Sequence, residues 1–221
     1  MIAEVSFINC LKWLDGEQTR IILIDRETGQ LAHTFFTDPF FCFHTINQYE
    51  KNEEVILDLC CYENASVVDA VHVENLSKND PKAIGKFCTK PLRFILPLKA
   101  EEKNVNLVKF EGSSATATLS DKIFCTPELL CDVGFEFPRI NYPQHLAIEY
   151  QYFYGVCVDL AENVGALLKI DTKTKTKILW KYKKSYSWEP IFVPAPNATS
   201  EDDGVIVAGF LTSGIANRVG I

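Results

Sequence analysis

Short runs in which apolar and polar residues alternate dominate this chain, and they predict β-strands. Two such runs at 20–25 and 31–36 are joined by the polar residues 26–30 and predict a hairpin. The same pattern returns at 165–171 and 177–182, around a turn rich in Thr and Lys. Because the two hairpins resemble each other, they indicate weak internal repetition.

Further strands are predicted between these hairpins. The runs 40–49 and 54–62 form another pair around the polar residues 50–53, and the pattern continues in the runs 106–110, 114–119 and 122–125. Helical signals are scarce: the polar segment 75–82 predicts a connection with one helical turn near Leu76, limited by Pro81. Many short strands without alternating helices are typical of a sandwich, a barrel or a propeller, and the internal repetition favours the propeller. Blades of about 40–50 residues would give only about four or five blades in this length.

Composition narrows the class of protein. The chain has 221 residues, of which 47% are apolar and 23% charged, and this excludes disordered and collagen-like classes. Its formal net charge of −7 argues against a nucleic-acid partner, because phosphate binding needs a basic surface. No apolar run reaches the roughly 20 residues of a membrane span. Glu4 stands where a signal peptide would be basic, so we expect a cytoplasmic chain whose eight cysteines are reduced.

One histidine and two glutamates lie in unusually apolar surroundings. His44 falls inside the aromatic run 40–50, where a buried imidazole needs a partner. It is either a core histidine bonded to the backbone or a metal ligand. Glu136 and Glu189 follow the same pattern in aromatic runs of their own. They either face solvent from edge strands or accept the Nδ1–H of metal-binding histidines.

Other catalytic signatures are missing from the sequence. The chain contains no P-loop, no Gly-x-Gly-x-x-Gly, no Gly-x-Ser-x-Gly and no kinase motif, so nucleotide chemistry and serine hydrolysis have no support. None of the four histidines is spaced three or four residues from another as a self-contained zinc site requires.

An ordered set of motifs resembles the carotenoid cleavage oxygenase family, which includes animal β-carotene oxygenases, insect carotenoid isomerooxygenases and the retinal pigment epithelium isomerohydrolase. The motifs are FHTINQYE at 43–50, VILDLCCY at 55–62, LRFILPL at 92–98, FEFPRINY at 135–142 followed by YG at 154–155, EPIFV at 189–193 and EDDG at 201–204. They cover nearly the whole chain. Their fixed order makes the resemblance specific.

The resemblance implies an all-β fold, a seven-bladed β-propeller with Fe(2+) held by four histidines on its axis. His44 matches the third of these histidines, Glu136 matches the carboxylate that supports it, and Glu189 matches the one that supports the fourth. Phe137 is the first candidate for the substrate pocket. No residue of this chain matches the other three iron histidines, since His33, His72 and His145 fall in no ligand motif. Residues 1–221 are therefore expected to form a single incomplete propeller domain with about half to two-thirds of the blades.

The function that the resemblance implies is oxidative cleavage of a carotenoid double bond by O2, giving apocarotenoid aldehydes. Two alternatives stay open. One is isomerohydrolase chemistry on a retinyl ester in the same fold. The other is a catalytically inactive, carotenoid-binding or degenerate propeller fragment, since one histidine cannot hold catalytic iron. The expected partners are a carotenoid or retinoid substrate and O2, with peripheral membrane contact and no nucleic acid.

Overall fold

Strands account for most of the regular structure. The computed structural model describes residues 11–72, 88–158, 164–182, 185–212 and 219–220. Within these ranges the strands are β1 (Thr19–Ile24), β2 (Leu31–Thr37), β3 (Phe41–Lys51), β4 (Glu54–Tyr62), β5 (Thr89–Pro97), β6 (Thr116–Leu119), β7 (Ile123–Thr126), β8 (Glu128–Leu129), β9 (Phe135–Arg139), β10 (Tyr152–Cys157), β11 (Leu167–Asp171), β12 (Lys177–Trp180), β13 (Ser185–Ser187), β14 (Ile191–Pro194), β15 (Gly204–Val207), β16 (Phe210–Thr212) and β17 (Val219–Gly220). The same ranges contain two short helices, α1 (Ser66–Ala70) and α2 (Tyr142–His145).

The described strands form separate small sheets of the kind that propeller blades use. Three of them have four strands, in the orders β1-β2-β7-β6, β3-β4-β5-β8 and β12-β11-β10-β9. We call them sheets 1, 2 and 3. A three-stranded sheet has the order β13-β16-β17, and β14 and β15 form a two-stranded sheet. The architecture is all-β and is that of a partial β-propeller, as the sequence predicts.

The predicted hairpins are confirmed. β1 pairs with β2, β3 with β4 and β11 with β12, each antiparallel. The predicted run at 106–110 is not a strand, because the Asn106 side chain accepts the Val108 backbone N–H and only Asn106 forms a bridge, to Thr118. The sequence pattern missed α1 and α2. The helical turn predicted near Leu76 lies outside the described residues.

Sheet 2 is packed on both faces. β4 is buried along most of its length, so its two sets of alternating side chains both lie in cores. Cys60 joins the apolar cluster that sheet 2 shares with sheet 3, which includes Phe135 and Phe153. Cys61 joins the cluster shared with sheet 1, which includes Phe35. Neighbouring sheets thus stack face to face on either side of sheet 2.

A buried ionic network joins sheets 2 and 3. Arg93 of β5 donates from Nε and Nη2 to the two carboxylate oxygens of Asp58 on β4, each over 2.8 Å. Tyr150, just before β10, donates its hydroxyl to Asp58 Oδ2 over 2.5 Å. Asp58 is fully buried and Arg93 nearly so. A buried carboxylate is costly unless it is paired with a cation and hydrogen-bonded, and Asp58 meets both conditions.

No helix in the described ranges has the length and hydropathy needed to cross a bilayer.

Candidate metal centre

His44 lies on β3 where the pairing with β4 is interrupted. Cys42 pairs with Cys61 and Thr45 pairs with Leu59, so β3 has one residue more than β4 between these pairs. Such a bulge bends the strand and redirects the side chains that it carries. The His44 side chain is 43% exposed, in contrast to the buried centre of the strand.

The partner of His44 comes from a different sheet. Glu136 of β9 accepts a hydrogen bond from His44 Nδ1, over a distance of 2.6 Å to Oε2. The backbone N–H of Phe137 donates to the same oxygen over 3.1 Å. The Glu136 side chain is only 5% exposed, so this contact is held inside the protein. The sequence left open a core histidine bonded to the backbone or a metal ligand. The structure shows the His44 ring bonded to a carboxylate instead of to the backbone.

The turn in β9 depends on an unusual backbone. Phe137 has a φ of 57°, a left-handed conformation that costs free energy for a bulky residue. β9 and β10 change register across this point, between Tyr154 and Val156. A Cβ on the intervening Gly155 would lie 2.3 Å from the Phe135 ring and 2.7 Å from the Glu136 carbonyl oxygen. Gly155 therefore permits the close approach that places Glu136 beside His44.

Glu189, which lies just before β14, contacts the other end of β9. Arg139 of β9 forms an ion pair with Glu189 Oε1 over 2.9 Å, and its Nε donates to the Pro190 carbonyl over 3.0 Å. The Glu189 side chain is 43% exposed. β9 thus contacts one carboxylate-supported histidine through Glu136 and holds a second carboxylate through Arg139.

The charges of both glutamates act on His44. The hydrogen bond to Glu136 raises the pKa of His44, partial burial opposes this, and the charges of Glu136 and Glu189 raise it further. Glu136 also acts on its buried neighbours. Burial, followed by the charge of Glu136, raises the pKa of Tyr62 and of Cys60.

The donors present suit one position of a metal site. With Nδ1 bonded to Glu136, the bare Nε2 of a neutral His44 is the nitrogen available to a metal ion. Across the described residues, no group of three or more His, Cys, Asp or Glu side chains could hold a metal ion. His33 stacks on Phe35 within sheet 1, and His145 in α2 bonds the Glu149 carbonyl. His72 is exposed just after α1.

Sequence reasoning brought together the residues that the structure brings together, but it missed their supports. The sequence does not predict Arg139 and Gly155 as site residues, although both stand within the motifs at 135–142 and 154–155. The sequence does carry a signal for Arg139. It stands three residues after Glu136, so one short strand carries a negative and a positive side chain. The Phe137 ring lies 5.7 Å from the His44 ring and is 40% exposed. Its role in a substrate pocket stays a prediction.

A separate groove of about 850 Å³ runs between β10–β12 and β14–β16. Its lining is mainly aromatic and aliphatic and includes Tyr154, Trp180, Phe192 and Phe210. Pro190, which follows Glu189, also lines it, whereas His44, Glu136 and Phe137 do not.

Comparison with protein families assigns the chain. Residues 2–218 match the family model described as RPE65: Retinal pigment epithelial membrane protein. The chain belongs to this family. The match covers the bulge on β3, the strand β9 and the β14–β15 hairpin together.

Similar curated proteins include carotenoid oxygenases. The chain is 32% identical to the carotenoid isomerooxygenase of Drosophila melanogaster, an alignment that covers 95% of this chain and 45% of the relative. It is 34% identical to the mitochondrial carotenoid-cleaving dioxygenase of Mustela putorius furo (96% and 42%) and 35% identical to the beta,beta-carotene 15,15'-dioxygenase of Rattus norvegicus (95% and 38%). The chain thus spans about two fifths of the length of these relatives.

Solved structures share the fold. The cobalt-substituted Synechocystis ACO superposes with a TM-score of 0.64 at 22% identity, over 89% of this chain and 36% of that one. An ACO/RPE65 chimera superposes with a TM-score of 0.62 at 22% identity, with the same coverage. At this identity the likeness concerns the arrangement of the strands.

Proposed function

We propose that this chain is part of a carotenoid oxygenase that uses Fe(2+) and O2 to cleave a carotenoid double bond into apocarotenoid aldehydes. His44 is one iron ligand, and Glu136 and Glu189 support the metal site. The observation that carries this proposal is the 2.6 Å hydrogen bond from His44 Nδ1 to the buried Glu136. A carboxylate behind a histidine is the usual support of a metal-bound imidazole.

Each residue of the site has a definite task in this proposal. Glu136 keeps the proton on Nδ1 of His44, which leaves the Nε2 lone pair bare and aims the ring. Glu189, held by Arg139, supplies a second negative charge near the ring. Bound iron would supply the redox chemistry with O2. The half-exposed Phe137 ring offers an apolar face beside the imidazole, which suits a polyene that has no hydrogen-bonding groups.

The names of similar proteins favour cleavage over the retinyl-ester alternative. The three relatives described above are called an isomerooxygenase and two dioxygenases. A carotenoid partitions into lipid, so peripheral contact with a membrane from the cytoplasm belongs to the same proposal.

The decisive experiment uses a full-length enzyme that contains this segment. It is incubated separately with β-carotene and with a retinyl ester, and the products are identified by chromatography and mass spectrometry. We expect apocarotenoid aldehydes from β-carotene. His44→Ala should abolish turnover and lower the iron content, whereas the matched control His33→Ala should keep both. Turnover by His44→Ala, or conversion of the retinyl ester alone, would contradict the proposal.

The 221-residue chain by itself is a second test. Because its described residues offer one metal-binding imidazole, we expect purified chain to hold iron well below one ion per molecule. Stoichiometric iron would show that the chain forms a complete site and would refute the incomplete-site inference.

A further inference from the structure

Two cysteines face each other across the pairing of β3 and β4, directly before the bulge that carries His44. Cys42 and Cys61 are paired residues of this antiparallel ladder. The Cα atoms of directly opposite residues lie about 4.5–5.5 Å apart, within the range of about 4.4–6.8 Å that disulfides span. Both cysteines carry free thiols. Side chains of directly opposite residues lie on the same face of the sheet, so the two thiols are neighbours.

The neighbouring Cys60 is excluded from this pair by its direction. Successive side chains of a strand point to opposite faces of the sheet. Cys60 packs in the core between sheets 2 and 3, whereas Cys61 packs in the core between sheets 1 and 2. The partner of Cys42 in the ladder is Cys61. Both adjacent cysteines on β4 are buried, but only Cys61 faces Cys42 and can form a disulfide with it.

We propose that Cys42 and Cys61 form a redox-sensitive dithiol site, which closes reversibly to a cross-strand disulfide under a disulfide oxidant such as oxidised glutathione. Cys42 is partly exposed and Cys61 is buried, so Cys42 reacts first. Its sulfur, after losing a proton, attacks one glutathione sulfur and releases the other as a thiolate that takes up a proton. Cys61 then loses its proton, attacks Cys42 and releases the second glutathione thiol. The two cysteines are oxidised by two electrons and one glutathione disulfide is reduced to two thiols.

The bond would fasten β3 to β4 at the last regular pair before the interruption. His44 lies two residues beyond Cys42, on the irregular part of the strand. Closing the disulfide therefore restrains the part of β3 that carries His44 under oxidising conditions and releases it under reducing conditions. Because Cys61 is buried, its attack on the mixed disulfide is expected to be slow.

The test uses the folded 221-residue chain carrying Cys88→Ala, which removes an exposed thiol that could link two molecules. The chain is incubated with excess oxidised glutathione, alkylated and digested with trypsin. We expect a disulfide between the peptides 27–51 and 52–78, which contain Cys42 and the Cys60–Cys61 pair respectively. Dithiothreitol should reverse it. The oxidised chain should also unfold at a higher temperature than the reduced chain.

Three variants make the test specific. Cys42→Ala and Cys61→Ala should lose the cross-link and the gain in unfolding temperature, whereas the matched control Cys60→Ala should keep both. Circular dichroism verifies that each variant is folded. Failure to form the cross-link in the folded chain, its persistence in Cys61→Ala, or an end product in which Cys42 carries only glutathione would each overturn the proposal.

Discussion

Nδ1 of His44 lies 2.6 Å from Oε2 of Glu136, although 92 positions separate the two residues in the chain. The contact joins β3 of sheet 2 to β9 of sheet 3. It decides which imidazole nitrogen carries the proton, and hence which one a metal ion could use.

The first prediction concerns this tautomer. Glu136→Ala should remove the acceptor that holds the proton on Nδ1, so His44 should redistribute its proton toward Nε2. Long-range proton–nitrogen NMR spectra of the folded chain at a pH where His44 is neutral measure this directly. In a full-length enzyme the same change should weaken iron binding by roughly 10–100-fold. For the tautomer measurement alone, Glu189→Ala is the control, since Glu189 forms no hydrogen bond with His44 within the described structure. An unchanged tautomer in Glu136→Ala would remove the proposed role of Glu136.

The second prediction concerns Gly155, which faces the Glu136 backbone. A Cβ at this position overlaps the Phe135 ring and the Glu136 carbonyl oxygen, so Gly155→Ala should lower the free energy of unfolding by about 1–3 kcal/mol. It should also disturb the NMR signals of His44, because Glu136 must shift. Gly112→Ala is the control: its φ of 78° is strained for alanine, but no atom lies within 4 Å of the new Cβ. Equal effects of the two substitutions would mean that steric overlap at Gly155 is unimportant.

The third prediction concerns the ionic network between sheets 2 and 3. Asp58→Asn leaves Arg93 buried without a countercharge and should cost about 3–5 kcal/mol of unfolding free energy. Urea denaturation measures the loss. The exposed pair Lys51–Glu149 provides the comparison, and Glu149→Gln should cost no more than about 1 kcal/mol. A loss at Asp58 as small as that at Glu149 would contradict a structural role for the buried pair.

The fourth prediction concerns acid stability and Glu128 on β8. Burial raises the pKa of Glu128, but hydrogen bonds from Lys175 and Ser113, helped by the charge of Lys175 and by the Ser114 N–H, outweigh it, and the pKa lies below its ordinary value of 4.5. The folded state therefore binds the proton less readily than the unfolded state. The resulting stabilisation is complete well above pH 4.5 and is lost as the pH falls through the lower, folded-state pKa.

Glu128→Gln tests this sign. Between about pH 7 and about pH 3, the wild type should lose more unfolding free energy than Glu128→Gln, because the variant has no carboxyl to protonate there. Urea midpoints at the two pH values give the comparison. The exposed Glu63→Gln serves as the matched control and should follow the wild type. A wild type and a Glu128→Gln variant that lose stability in parallel would refute the assignment.

The strand content could be read from the sequence because alternation is a local property. The hairpins β1–β2, β3–β4 and β11–β12 each join neighbouring segments, so pattern and turn chemistry together predicted them. The order of strands in sheet 1 could not be predicted in this way. There β2 pairs in parallel with β7, after the chain has passed through β3, β4 and β5 of sheet 2. The alternation of apolar and polar residues is local, so it carries no information about a pairing between strands this far apart in the chain.

For the candidate site, too, the sequence determined one part and the tertiary structure the other. The sequence by itself determined that His44, Glu136 and Glu189 are polar residues in apolar strands that need partners, and its motif order determined the family. The resemblance paired Glu136 with His44, and the tertiary structure supplies the hydrogen bond between them. Only the tertiary structure decided that Arg139 holds Glu189 and that Cys61 rather than Cys60 faces Cys42. The physical reason is that burial cost is a property of each residue, whereas a hydrogen bond depends on the packing of sheets that are distant in the chain.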